Sequence, residues 1–422
     1  MKNKDPHKFN PRKSKFQAWI KCFWRSNIWT INIIVFVATA LVSILKVIFD
    51  NNVDFVFVTA AFVSLIVLII NLFVQPFVML RRDMKNMIII DNPNADKIRG
   101  NAANNLTKFY KDNEYTTLVY AGEALINSEI VDEYLYGNCE KISLKVSKKK
   151  QILPEEGMNF LAGIVKKKVD DGTIIYNRDI VGMRDDLSSG IRLLSLEKTD
   201  YYTCLATNDV LSKCVKSKAK AKFYVEGSIF TMTADGQMLC NLETSVAANI
   251  IGACTLALTA DNQIIVCNQG VKNDVNSNKY VPSGAGNVDF ADSRTLKNLE
   301  QLLVKTIERE LMEELFLEKA KDLTIKTKII SFNRIVSRGG KPDFFGISVI
   351  NKSADEISGI YKRNSAGTLE IVNVTFIPIQ EILNKNEGNF LKSHEQSPQL
   401  RFMFDIIRRY KAKGIDLFKE LV

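Results

Sequence analysis

Residues 299–317 read LEQLLVKTIERELMEELFL, inside a helix that the sequence predicts from about Ser293 to Leu317. On a helix of 3.6 residues per turn, Glu310, Glu313 and Glu314 stand at i, i+3 and i+4 and share one face. Three carboxylates facing one way repel each other unless positive charge lies between them. A hard divalent cation suits that role, because Mg²⁺ prefers carboxylate oxygens and keeps waters for substrate phosphates. Arg309 can orient one of the carboxylates through a bidentate bond.

Working outward, Gly252–Leu258 and Ile264–Asn268 are β-like runs joined by Ala260-Asp261-Asn262, which reads as a hairpin. Tyr280 to Gly286, YVPSGAG, is a glycine-rich loop. After the acidic helix come apolar β runs at Thr327–Phe332, Phe344–Ile350 and Glu370–Ile377. A final helix is expected over Pro398–Lys411, with a short tail helix behind it.

The segment Arg309-Glu310-Leu311-Met312-Glu313-Glu314-Leu315-Phe316-Leu317 resembles the Nudix box, the signature of hydrolases acting on nucleoside diphosphates linked to another moiety. That motif is G-x5-E-x7-R-E-U-x-E-E-x-G-U, with U a bulky aliphatic residue. Arg309-Glu310-Leu311, Glu313-Glu314 and Leu317 match its core in order and spacing. The order of hairpin, Pro/Gly loop, box helix, strands and terminal helix is also similar, and Phe376–Glu381 resembles the family's late strand leading into a helix. The likeness spans roughly residues 246–415, and only the box is specific.

The resemblance implies metal-assisted hydrolysis of a pyrophosphate. Glu310, Glu313 and Glu314 would hold Mg²⁺, or Mn²⁺, which polarises a phosphoryl oxygen and acidifies an attacking water. The sequence departs from the box in its first half. Counting back from Arg309, the first glutamate falls on Gln301 and the glycine on Thr295, with Glu300 one residue away. Gln301 or Glu300 would then position the water. Phe316 replaces the late glycine. Arg334, Arg338 and Lys341, around Gly339-Gly340, are candidate phosphate partners, and Phe344 or Phe345 is a candidate to stack on a base.

The role of residues 86–245 is open, and no catalytic constellation appears in the segment Arg192–Lys213. Helices are expected at Ala95–Tyr110 and from about Thr116 to Leu135, and a strand at Lys141–Lys150. Short β runs follow, with a strand, loop and helix over Arg192–Lys213.

Only two histidines, His7 and His394, occur in 422 residues, so a histidine-centred triad or multi-histidine metal site is excluded. Seven cysteines without a CxxC pair exclude a disulfide scaffold and a Cys-rich zinc module. The net charge of +10 is concentrated at the start: residues 1–25 hold eight lysines and arginines against Asp5 alone. A nucleic-acid-binding body needs basic residues over a folded face, so direct nucleic-acid binding is not expected.

Two apolar stretches follow this arm. Ile28–Phe49 has Lys46 as its only charge, and Phe55–Leu80 has none. Each is long enough for a bilayer core of about 30 Å. Basic flanks on both sides and the short acidic connector Asp50–Asp54 put both ends in the cytoplasm by the positive-inside rule.

The expected fold is therefore α+β: an N-terminal transmembrane α-hairpin followed by a cytosolic α/β/α Nudix-like domain with a mixed sheet. The expected organisation is a basic cytoplasmic arm at 1–27, two spans within 28–80, an α+β region of open role at 86–245 and the Nudix-like domain at 246–422. The expected activity is that of a membrane-anchored Mg²⁺-dependent Nudix-type hydrolase at the cell membrane, multi-pass, with both termini and the body cytoplasmic. Its partners are the lipid bilayer, a nucleotide-type small molecule and a second copy of the chain. The competing reading is a catalytically weak nucleotide sensor governing the two-span hairpin, an architecture that resembles the membrane effectors of bacterial nucleotide-signalled antiphage defence. A structural membrane protein whose acidic helix has no catalytic role is the third.

Overall fold

The computed structural model describes residues 86–104, 114–173, 177–218, 223–270, 276–365, 371–384, 390 and 393–421. The arm at 1–27 and the two expected spans at 28–80 lie outside the described residues. Among the described residues no helix is long and apolar enough to cross a membrane. The longest, at 17 residues, carries five glutamates, a lysine and an arginine, and rises only about 25 Å. What is described is a mixed α/β structure with three sheets. The expected fold class, with its transmembrane hairpin, is corrected to that, and the multi-pass membrane placement drawn from the hairpin is withdrawn with it.

The described chain opens with β1 (Met87–Asp91) and α1 (Ala95–Asn104). Residues 116–127, expected to begin a helix reaching Leu135, form a hairpin instead, β2 (Thr116–Tyr120) and β3 (Glu123–Asn127). Its turn is Ala121 and Gly122, with φ of 49° and 80°. Two positive φ values give a tight turn whose twist suits paired strands, and the β-branched and aromatic run TTLVY fits a pleated surface. Helix α2 (Glu129–Asn138) starts on Ser128, whose side chain accepts from the Val131 N–H. There follow β4 (Ser143–Lys150), α3 (Glu155–Asp170), β5 (Asp179–Met183), β6 (Leu193–Asp200), α4 (Tyr201–Thr207), β7 (Lys213–Ser217) and β8 (Tyr224–Glu226). Two small sheets result, ordered β4-β6-β5 and β1-β7-β8.

The rest of the chain supplies β9 (Gly252–Leu258), β10 (Gln263–Gln269), β11 (Tyr280–Pro282), β12 (Gly284–Asn287), α5 (Phe290–Ser293), α6 (Leu299–Leu315), β13 (Ile325–Ile335), β14 (Lys341–Ile350), α7 (Ala354–Asn364), β15 (Ile371–Pro378), α8 (Ile379–Leu383) and α9 (Pro398–Ala412). The helix expected from Ser293 is thus split, because Asn298 caps α6 by accepting from the Gln301 N–H. A nine-stranded sheet runs β11-β10-β9-β14-β13-β3-β2, with β12 on β9 and β15 on β10. Only β14 and β9 pair in parallel within it. Asn127, Ile126 and Leu125 of β3 pair with Asn333, Arg334 and Ile335 of β13, so the hairpin from residues 86–245 extends the sheet of residues 246–422.

One face of this sheet packs on α6, where Leu299, Leu302, Leu303 and Ile307 meet Ala253, Ile329, Phe332 and Phe344. The other face packs on α9 through Leu400, Phe402, Met403 and Ile407 against Leu256, Val266, Phe345 and Ile347. A buried polar node ties α2, β13 and α9 together. Asp132, fully buried, accepts from the Asn127 amide at 3.0 Å and from the Phe332 N–H at 2.9 Å, and pairs with Arg409.

Candidate functional site

Helix α6 buries Leu299, Leu302, Leu303, Thr306, Ile307, Glu310, Leu311 and Leu315, a stripe at three- and four-residue spacing. Glu310 therefore falls inside the core-facing stripe. Room for its carboxylate is left by Gly286 of β12. A β-carbon at that position would lie 2.1 Å from the Glu310 carboxyl carbon, and one on Gly284 would lie 2.9 Å from the Leu311 backbone nitrogen. Two glycines two residues apart on one strand face let β12 lie directly on the box helix. The helix ends on Phe316 in the left-handed region, φ 57° and ψ 32°. That is the conformation for which a glycine is favoured, and here Phe316 adopts it with its ring 5.9 Å from that of Tyr361.

The three glutamates part company from this helix. Glu310 is 8% exposed and lies 2.7 Å from Arg309 Nη1 and 3.8 Å from Arg178 Nη2. Burial pushes its carboxyl up to about 7, with the two arginines opposing and Glu313 adding to the shift. Glu313 is more exposed and sits 3.6 Å from Arg309. Glu314 lies near Cys267 and Cys254, whose thiols are pushed up by burial first and also by the Glu314 charge.

Arg309 is the hub. Its guanidinium also reaches Asp289 at 3.5 Å and Asp292 at 4.0 Å, and donates to the Asn287 carbonyl at 3.4 Å. Burial opposes its charge, but Glu310, Asp289 and Glu313 outweigh that and hold its pKa above the usual arginine value. Lys305 pairs with Asp292 at 2.9 Å. Arg178 comes from the edge of a different sheet and also contacts Asp289 at 3.5 Å. It is held there by backbone bonds from Val181 N–H to the Val288 carbonyl and from Ile251 N–H to the Val181 carbonyl, both 3.0 Å.

Arg178, Asp289 and Asp292 are the residues that sequence reasoning missed. The acidic run DFADS at 289–293 stood directly ahead of the helix and was a usable signal. Nothing in the sequence links Arg178 to Glu310, 132 residues later.

The other candidates are dispersed. Gln301 is exposed in the first turn of α6, and Glu300 beside it is pushed up by burial and by Glu140. At 1.5 Å per residue both lie about 14 Å along the helix from Glu310. Arg334 is 1% exposed and donates to the carbonyls of Gly340 and Cys240, with Asp186 at 3.3 Å. Lys341 is buried beside Asp343 at 3.1 Å. Phe344 is fully buried, its ring 5.0 Å from Phe332, and Phe345 packs on Phe402. Arg338 binds both oxygens of Asp209 at 2.8 and 2.9 Å and lines a cavity of about 320 Å³ together with Glu123, Lys168, Ser337 and Gln399.

Mg²⁺ or Mn²⁺, the ions that the box resemblance implies, needs several oxygens converging at about 2.0–2.2 Å. Among the described residues no group of three or more His, Cys, Asp or Glu is placed to hold a metal ion. The buried Oε1 of Glu310 lies 2.7 Å from the Arg309 guanidinium and 3.8 Å from that of Arg178, so an ion there would compete with two fixed positive charges. This donor set does not fit the ion.

Neither a family model nor a curated protein sequence matches the chain. Solved structures match it in part. A Deinococcus radiodurans protein, DR0079, is 11% identical, with 42% of this chain and 96% of that one covered and a TM-score of 0.25. The MutT protein of Methanosarcina mazei Go1 is 12% identical over 39% of this chain and 94% of that one, with a TM-score of 0.24. The M. smegmatis Nudix hydrolase RenU is 10% identical over 43% and 95%, with a TM-score of 0.24. At these scores the likeness is a partial overlap and carries no argument about activity.

Proposed function

We propose that this chain is a Nudix-like nucleotide-binding protein that recognises a nucleoside-diphosphate-linked or related pyrophosphate ligand with little or no turnover. The observation that carries this reading is the fate of Glu310. It sits in the core stripe of α6, held by Arg309 and Arg178, while the box's first glutamate position is an exposed Gln301. Catalysis of the Nudix kind needs carboxylates gathered on a cation, whereas recognition needs only a shaped, charged surface.

Hydrolysis remains the second reading, and one observation favours it: a carboxyl titrating at about 7 is well matched to accept a proton near neutral pH. The two readings separate in one experiment. The full chain is incubated with a panel of nucleoside-diphosphate-linked compounds, with Mg²⁺ and then with Mn²⁺, while binding is followed by calorimetry and product release by chromatography. Saturable binding with no product beyond the uncatalysed rate is expected. Sustained release of phosphate or nucleoside monophosphate that disappears in Glu313→Gln would establish the hydrolase instead.

A further inference from the structure

We propose that the acidic face of α6 is neutralised from within the chain, by Arg309 and by Arg178 reaching over from the β4-β6-β5 sheet, so that no divalent cation is retained there. The starting point is the disagreement between the box sequence and its geometry. The box carboxylates call for positive charge, and the structure sets guanidinium groups against two of the three, Arg309 on Glu310 and Glu313 and Arg178 on Glu310. Arg309 touches Glu310, Glu313, Asp289 and Asp292 at 2.7 to 4.0 Å. Arg178 touches Glu310 and Asp289 at 3.8 and 3.5 Å. Lys305 takes up Asp292 from the side.

Arg178 is placed by structure rather than by chance. The isolated bridge between Ile180 and Asp289 sets β5, which begins at the residue after Arg178, beside the loop that leads into α6. At Gly182, two residues into that strand from Ile180, a β-carbon would lie 2.4 Å from the Ala248 carbonyl, so this strand is seated close against the start of β9. Its guanidinium is thus fixed to the box from a part of the chain that the box motif does not include. A divalent ion at Glu310 would have to displace two arginines whose charge it duplicates. At separations near 4 Å, like charges in a partly buried site repel strongly.

The inference deepens the ligand-binding reading but is tested without any ligand. Full-length wild type is stripped with chelator, titrated with Mn²⁺ and followed by electron paramagnetic resonance, with melting temperatures recorded in Mg²⁺ and in chelator. No Mn²⁺ bound at a site that depends on Glu313, and equal melting temperatures in the two buffers, are expected. Arg178→Gln is expected to strengthen Mn²⁺ binding by about tenfold or more, since it removes one competing charge and leaves the carboxylates in place. Wild type that binds Mn²⁺ at a site abolished by Glu313→Gln overturns the proposal, whatever the nucleotide panel shows. A folded Arg178→Gln chain that gains no Mn²⁺ affinity overturns the part assigned to Arg178. Arg178→Lys, which keeps the charge, is expected to behave as wild type and guards against a general loss of fold.

Discussion

Asp132→Asn is expected to remove a pH-dependent loss of stability. Burial pushes the Asp132 carboxyl up from 3.8 to about 6, against the pull of Arg409, Asn127 and the Phe332 N–H. The folded value lies above the unfolded one, so the fold favours the neutral acid. That contribution is complete below about pH 4 and is lost as pH rises through 6. Two units at about 1.36 kcal/mol each put the loss on the order of 3 kcal/mol. Urea midpoints at about pH 4 and about pH 7 should therefore diverge more in wild type than in Asp132→Asn. An equal divergence in both would mean that Arg409 keeps the carboxylate charged across the range. Asp132→Ala is a harsher change, because the buried Phe332 N–H and Arg409 both lose an acceptor. Its cost at neutral pH is expected near 3 kcal/mol, the low end for a broken buried pair, since Arg409 keeps Glu129 at 3.6 Å.

The second large effect is expected at the contact between β12 and the box helix. Gly284→Ala places a methyl 2.9 Å from the Leu311 nitrogen and 3.0 Å from its α-carbon, so the backbone of α6 has to move. A loss of about 2–3 kcal/mol is expected, as for overpacking in a tight core. Gly286→Ala meets only the end of the Glu310 side chain, at 2.1 to 2.5 Å. That side chain can swing away, and the expected loss is smaller, about 1–2 kcal/mol. The swing breaks the pair with Arg309, so the Gly286 variant should lose ligand affinity out of proportion to stability. Equal stability in the two variants would contradict the division between backbone and side-chain collisions.

The Glu310 stripe shows how much of the site was legible beforehand. The spacing of Glu310, Glu313 and Glu314 fixes their angular separation on a helix, and α6 is the helix on which they stand. The same spacing cannot say which angle points at the sheet. That depends on the apolar residues from Leu299 to Leu315, whose stripe includes Glu310. The hairpin runs at 252–258 and 264–268 were readable from two largely apolar runs flanking Ala260-Asp261-Asn262, and Asn262 takes φ 63° in that turn. At 116–127 the apolar residues fit a helical period as well, and the pair Ala121-Gly122 was the overlooked arbiter. Membrane length was read from composition alone at residues 28–80, while every described helix is too short or too charged to span a bilayer. Arg178 was beyond reach in principle, because pairing between separate sheets leaves no local periodicity.

The pairing of Asn127 with Asn333 sets a clock on biosynthesis. A ribosome adding about 5–20 residues per second needs roughly 10–40 s to make the chain between them. For that time the β2–β3 hairpin has emerged while its partner strand does not yet exist, and β3 presents a row of open amides and carbonyls. Open edges of this kind recruit other strands. Nascent chains stalled before residue 325 should therefore be the ones that holdase chaperones retain, and release should follow synthesis of β13 rather than completion of the chain.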